Sequence, residues 1–295
     1  MTSLTRHPDY WRGHFIAMAS DCELLIDPCP ESRARALLVA AERRVRAIEQ
    51  KYSRYREDNL VARLHRAEGK PVAIDGETLS LLTFADHCYR LSDGLFDLTS
   101  GVLRRAWRFD GCDRLPSQGE IDALLPLIGW ERVRYDDSTL SLPAGMELDF
   151  GGIGKEYAVD QVAAELARQA PSLSVLVNFG GDIAISVPRA PERPPWQVGI
   201  ATPSKPTQAS YPLTLRHGAL ATSGDSQRFL RHGGVRYSHI LNPKTGWATR
   251  SGPAQVTVAG QSCLQAGLLA TLALLHETEA EAFIRAQQVP YWIQP

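Results

Sequence analysis

The spacing of apolar and polar positions changes period several times along the chain, and each change predicts an element. His14 to Ile26 alternates loosely and ends at Asp27-Pro28-Cys29-Pro30, which reads as a strand followed by a breaker-rich turn. From Ala34 the period becomes helical: Ala34, Leu37, Leu38, Ala41, Val45, Ile48 and Tyr52 recur at spacings of three and four. Arg33, Arg35, Arg43, Arg44 and Arg46 fill the other side, a solvated basic face. Leu79 to Leu91 repeats the helical pattern and closes at Ser92-Asp93-Gly94, with Gly94 as the stop. Pro116 to Ile128 predicts a third, short helix.

Beyond Trp130 the pattern turns to short strand-like runs: Val133 to Tyr135, Thr139 to Leu142, Val175 to Asn178, Trp196 to Ile200, Leu213 to Leu215 and Gln255 to Val258. Tyr157 to Gln169 and Ser262 to His276 interrupt them as helices. The expected class is therefore α+β, with helices packed on mixed, largely antiparallel sheets. Pro188 to Pro195 and Pro203 to Pro206 are proline-rich loops too short to link domains. With no internal repeat, a single domain over 1–295 is expected.

Composition narrows the classes of function. A chain of 295 residues with 44% apolar and 22% charged side chains is neither disordered nor fibrous. Its 32 Lys and Arg against 33 Asp and Glu leave a net charge of −1, so no chain-wide field draws nucleic acid. The most apolar stretch, Cys263 to Leu275, is too short to span a bilayer, and no basic head precedes an apolar run at the N-terminus. A soluble, cytoplasmic protein without membrane insertion is expected. The five scattered cysteines form no C-x-x-C pair, which fits buried thiols in a reducing compartment.

Candidate chemistry gathers in glycine-bearing turns. Gly151-Gly152-Ile153-Gly154-Lys155 is no phosphate loop of the usual spacing, because Asp149 and Glu156 stand where Gly and Ser or Thr are required. A third glycine for a dinucleotide turn is replaced by Tyr157. What remains is a strand end, Glu147 to Phe150, turning into a helix near Lys155: either a plain tight turn or a site for a phosphorylated ligand flanked by Asp149 and Lys155. Asn178-Phe179-Gly180-Gly181-Asp182 is a second such turn. Ser223, His239 and Asp225 suggest a nucleophilic triad only weakly, since Ser223 lacks a nucleophile elbow. His239, in the polar loop Ser238-His239-Ile240-Leu241-Asn242-Pro243-Lys244-Thr245-Gly246, is a candidate general base.

Taken in order, these segments resemble the FAD:protein FMN transferase family, the flavin transferases first described as thiamine-biosynthesis lipoproteins. The resemblance runs from Met18 to Thr271 and also draws on Met18-Ala19-Ser20, Tyr52 to Asp58, and Ser92-Asp93-Gly94-Leu95-Phe96-Asp97-Leu98-Thr99. It implies a T-fold-like α+β architecture holding FAD in a groove. FMN would pass from FAD to a Ser or Thr hydroxyl of an acceptor protein carrying a flavinylation motif, and AMP would leave. Met18, Tyr55, Leu95, Phe96, Asp97, Asp149, Lys155 and the backbone near Ile240 and Leu241 match the family's FAD-contacting positions, and His239 matches its proposed base. Aromatic and apolar groups suit the ring systems, carboxylates the sugar or adenine donors, and lysine the phosphates.

The same resemblance implies magnesium, Mg²⁺, held by the backbone carbonyl at Gly152 and by an Asp and a Thr in an A-D-x-x-x-T run. Here the run reads Ala266-Gly267-Leu268-Leu269-Ala270-Thr271, so Thr271 is kept and the carboxylate is replaced by Gly267. Glu156 stands in place of the Gly usual after the lysine. The missing carboxylate leaves a second reading from another class, a non-catalytic FAD-binding relative acting as flavin carrier or assembly partner. It also leaves open whether a different acid fills the place.

Overall fold

The computed structural model of the chain describes residues 2–109, 113–202, 205–224 and 229–295, the stretch 205–210 by its backbone alone. Cys112, Asp225, Pro203 and Ser204 fall outside the described residues. In chain order the elements are β1 (Ser3–Arg6), β2 (Trp11–Ala17), β3 (Ser20–Ile26), α1 (Glu31–Tyr52), α2 (Leu60–Arg66), β4 (Val72–Ala73) and α3 (Gly76–Leu91). A 3₁₀ segment, Leu98–Arg105, precedes α4 (Gln118–Leu124), β5 (Arg134–Tyr135), β6 (Thr139–Ser141) and α5 (Gly154–Gln169). There follow β7 (Val175–Phe179), β8 (Asp182–Ile185), β9 (Trp196–Thr202), β10 (Lys205–Leu215), β11 (Ala219–Gly224), β12 (Phe229–His232), β13 (Val235–Ser238) and β14 (Gln255–Gly260). The chain closes with α6 (Cys263–Leu275), α7 (Ala280–Ala286) and β15 (Tyr291–Gln294).

The main sheet has eight strands in the order β1-β2-β3-β7-β8-β11-β14-β15, every neighbouring pair antiparallel. Period-two alternation sorts its side chains. Cys22, Leu24 and Ile26 of β3 and Val175, Val177 and Phe179 of β7 enter the larger core beneath α1, α5 and α6. Leu176, Ile183 and Leu220 face the other way, against Trp196 and Ile200 of the β9–β10 ribbon. Each large aliphatic side chain closed off here contributes roughly 1.5–3 kcal/mol, so both faces of the central strands are well anchored. The buried Arg189 joins the layers: its guanidinium pairs with Asp27 at 3.0 Å and stacks 3.6 Å above the Trp196 ring.

Three expectations are revised. His14 to Ile26 is a hairpin, because Met18 and Ala19 both adopt left-handed backbone, φ 51° and 54°, and turn the chain without a glycine. Glu147 to Phe150 is no strand: the Leu148 N–H donates to His65 Nε2 and the Asp149 N–H to the Leu98 carbonyl, and the run enters a 3₁₀ turn, Phe150–Gly152. The loop expected over Pro203 to Pro206 gives way at Lys205 to β10. Gly94 does stop α3, at φ 77°, with its N–H on the Tyr89 carbonyl. Among the described residues no helix is long and apolar enough to cross a membrane.

Candidate functional site

The site begins at the β2–β3 turn. Two consecutive non-glycine residues in left-handed backbone are strained, and the turn is held because the Met18 N–H donates to Glu49 Oε1 of α1 at 2.7 Å. The Met18 methyl thereby reaches the start of α5, where a Cβ at Gly154 would lie 3.7 Å from it. Helix α5 starts after Ile153, which offers it no side-chain cap. Lys155, in that first turn, places its ammonium 2.9 Å from Asp182 Oδ2. Burial works against its charge, but Asp182 and Glu156 hold the ammonium above its ordinary pKa. The β7–β8 turn makes this pairing possible: Gly180 has φ 60°, and a Cβ there would meet Ser20 Oγ at 3.2 Å and Lys155 Nζ at 3.5 Å.

Asp182 had no assigned role in the sequence reading, and the glycine turn before it was the available signal. It is 1% exposed, accepts the Thr222 N–H on Oδ1 at 3.2 Å, and turns Oδ2 to the Lys155 ammonium. Beside it lies Glu156. A Cβ at Gly267 would come within 2.7 Å of Glu156 Cγ and 3.0 Å of its Oε1, so the side chain fills the space that glycine leaves. Glu156 Oε2 is also closed off from solvent and without a partner. Burial first, and the Asp182 charge second, push this carboxyl well above the usual carboxylate range. One turn further along α6, the Thr271 hydroxyl lies 2.8 Å from that of Ser223, which also reaches the Gly267 carbonyl at 3.5 Å. The Ser223 hydroxyl is thus engaged on α6, and the third member of the weak triad, Asp225, lies outside the described residues.

A second group of candidates borders the glycine turn. Phe96 is buried and lies 3.9 Å from where a Gly152 Cβ would be; Leu95 packs on the main core. Asp97 and Asp149 are engaged within the protein. Asp97 accepts from the Thr99 N–H and hydroxyl at 2.7 and 2.6 Å and from the Trp130 N–H at 3.2 Å, starting the 98–105 segment. Burial outweighs these bonds and raises its pKa. Asp149 accepts from Gly151 on Oδ1 and from Arg54 and Arg104 on Oδ2, at 2.8, 2.8 and 3.1 Å. Burial opposes its charge, but Arg104 and Arg54 win and hold the carboxyl below its usual range. Sequence reasoning gave neither arginine a role: Arg54 lies within the Tyr52 to Asp58 segment, and no local motif marks Arg104. Tyr55 is 82% exposed, with the Arg54 guanidinium 5.8 Å from its ring centroid.

The remaining candidates stand on the loop after β13. Half-buried His239 meets Phe109 edge-on, ring centroids 6.4 Å apart. The loop is pinned by its own backbone: Ile240 N–H donates to Ser238 Oγ, Thr249 N–H to the Ile240 carbonyl, and Leu241 bridges to Ala248. Gly246, φ 72°, donates its N–H to the Asn242 carbonyl and accepts the Trp107 indole N–H at 2.8 Å. Leu241 packs on a smaller core with Leu103, Trp107 and Ile121. Two contacts join this loop to the second group: Lys244 pairs with Asp93 at 2.7 Å, and the 98–105 segment touches Asp149 through Gly101 and Gly246 through Leu103.

An antiparallel sheet under helices, with the Lys155–Asp182 pair at the opening of α5, defines an α+β protein. The chain belongs to the ApbE family, whose model matches residues 18–293. It is 31% identical over 266 residues to the FAD:protein FMN transferase of Vibrio cholerae, covering 87% of this chain and 78% of that protein. The ApbE protein of Thermotoga maritima superposes with a TM-score of 0.87 at 28% identity, over 97% of this chain and 94% of the other. The flavinyl transferase ApbE of Pseudomonas stutzeri, in its apo form, gives 0.84 at 25% identity, over 99% and 91%.

Proposed function

We propose that this protein transfers FMN from FAD to a Ser or Thr hydroxyl of an acceptor protein and releases AMP. The observation that carries the reading is Lys155, kept charged by Asp182 in the first turn of an uncapped helix, in a chain of the ApbE family. The acceptor oxygen bonds to the phosphorus of the flavin half, the phosphorus–oxygen bond to the AMP half breaks, and AMP leaves with that electron pair. His239 takes the acceptor's proton. Lys155 and the N–H groups opening α5 bind the pyrophosphate, Met18 and Phe96 offer apolar surface to the rings, and Asp149 orients Arg54 and Arg104.

The residues present also fit a divalent cation, because Glu156 Oε2, a shielded carboxylate oxygen, has no hydrogen bond. The Gly152 carbonyl and the Thr271 hydroxyl would hold Mg²⁺, which when bound neutralises phosphate charge. The free thiols of Cys22, Cys29, Cys88 and Cys263 support a reducing, cytoplasmic setting as part of the same proposal. The non-catalytic alternative is not favoured, since the similar curated proteins are named as transferases. The test is incubation with FAD, Mg²⁺ and an acceptor bearing a Ser/Thr flavinylation motif, read by in-gel flavin fluorescence, with calorimetry beside it. Covalent flavin and tighter binding of FAD than of FMN are expected; no binding of either flavin overturns the reading.

A further inference from the structure

Helices α5 and α6 meet along a seam whose register can be read from two rungs. Asp160 on α5 accepts the N–H groups of Cys263 and Leu264 and the Ser262 hydroxyl, at 2.8, 2.9 and 2.7 Å, so it caps α6 from outside. One turn back on α5 is Glu156, and one turn onward on α6 is Gly267, whose missing side chain Glu156 occupies. Thr271 lies one further turn along α6 from Gly267 and on the same face, so Glu156 stands between the cap and Thr271. Glu156 is an expensive residue to keep there, since its Oε2 is shielded and has no hydrogen bond, while the neighbouring Asp182 Oδ2 is taken by the Lys155 ammonium. One ammonium, Lys155, faces two carboxylates, which leaves the cluster one negative charge in excess when both are ionised.

We propose that Glu156 is the carboxylate of the cation site, carried on α5 and reaching into the space cleared by Gly267, so that with Thr271 it offers hard oxygens to a divalent ion. Glu156 and Gly267 then act as a matched pair: the acid on α5 occupies the space that the absent side chain on α6 leaves. Gly267→Asp alone crowds the seam, because its Cβ meets Glu156 Cγ at 2.7 Å and a second carboxylate enters. The inference rests on the transferase reading for its purpose but is tested by metal binding itself.

The experiment titrates MnCl₂ into the purified full chain, with and without FAD, following free Mn²⁺ by electron paramagnetic resonance and heat by calorimetry. Glu156→Gln, nearly the same shape, is expected to weaken Mn²⁺ binding at least about tenfold. The exchange variant Glu156→Gly with Gly267→Asp is expected to return it to within about threefold of the parent, whereas Gly267→Asp alone is not, a non-additivity that a double-mutant cycle measures. Mn²⁺ bound equally well by parent and Glu156→Gln overturns the proposal. So does a parent that binds FAD and no Mn²⁺, in which case Glu156 is a neutral buried acid. Glu156-dependent Mn²⁺ binding in a protein that binds no flavin would remove the transferase reading and leave the cation site standing.

Discussion

The two sides of the site are built by opposite means. Lys155, Asp182 and Glu156 sit where α5, α6, β8 and β11 converge on the larger core, so moving any of them means moving a packed element. His239 and Leu241 stand on a loop over a smaller core, held by backbone hydrogen bonds and a few aromatic contacts. The difference suits the tasks proposed above: binding pyrophosphate and cation would require charges fixed in a desolvated place, whereas a base would have to meet an acceptor arriving from outside. Damage to the first side should therefore cost affinity. Damage to the second should cost rate.

The largest expected effect separates them outright. His239→Asn should lower covalent flavin transfer by about 10²- to 10⁴-fold, the usual worth of a general base, while calorimetry finds FAD affinity unchanged. Lost FAD binding would instead place His239 among the positioning groups. Next comes Lys155→Met, which removes a charge-assisted contact worth about 1.5–3 kcal/mol and should weaken FAD binding roughly 10- to 150-fold. An unchanged dissociation constant would mean that the phosphates lie elsewhere.

On the loop side, Trp107→Phe leaves the Gly246 carbonyl without the indole N–H, at a cost of about 1–3 kcal/mol in urea unfolding. Faster amide exchange over 242–246 and a reduced transfer rate with intact FAD affinity are expected; loss of affinity would erase the contrast drawn above. The smallest effect belongs to the scaffold of the binding side. Burial opposes ionisation of Asp75, which caps α3, but Lys51 and the Thr78 N–H and hydroxyl hold its carboxyl down at about 2. Its depressed pKa gives stability that is complete above the unfolded value of about 4 and is lost as pH falls through about 2. Because the side chain is exposed, the contribution is under about 1 kcal/mol. Asp75→Asn should flatten the urea-midpoint profile between those pH values, and an unaltered slope would show the Lys51 contact to be idle.

How much of this was legible in sequence follows from what each element depends on. α1 and α6 announce themselves because a helix buried on one face or all round leaves a period or an apolar run. β8 and β11 did not: Asp182–Ile185 is buried at every position and so shows no alternation, and Ala219–Gly224 is built of small, weakly strand-forming residues. The 18–19 turn was unreadable since it uses neither Gly nor Asn, its conformation being imposed by Glu49, 31 positions away. At the site, local turns drew attention to Lys155 and His239, and the family resemblance alone to Thr271. The contacts of Asp182, Arg54 and Arg104 join distant segments, as do the Trp130 N–H on Asp97 and the two arginines on Asp149.

The turn at Met18 and Ala19 has a consequence for anyone wishing to make the protein hardier. A hairpin designer would place Asn-Gly there, relieving two left-handed residues and gaining stability from the local chain. That repair removes the methionine whose methyl rests against Gly154 at the opening of α5. The awkward backbone is thus the means by which an apolar group is delivered over the opening of α5, and a more comfortable turn would leave that opening bare on one side.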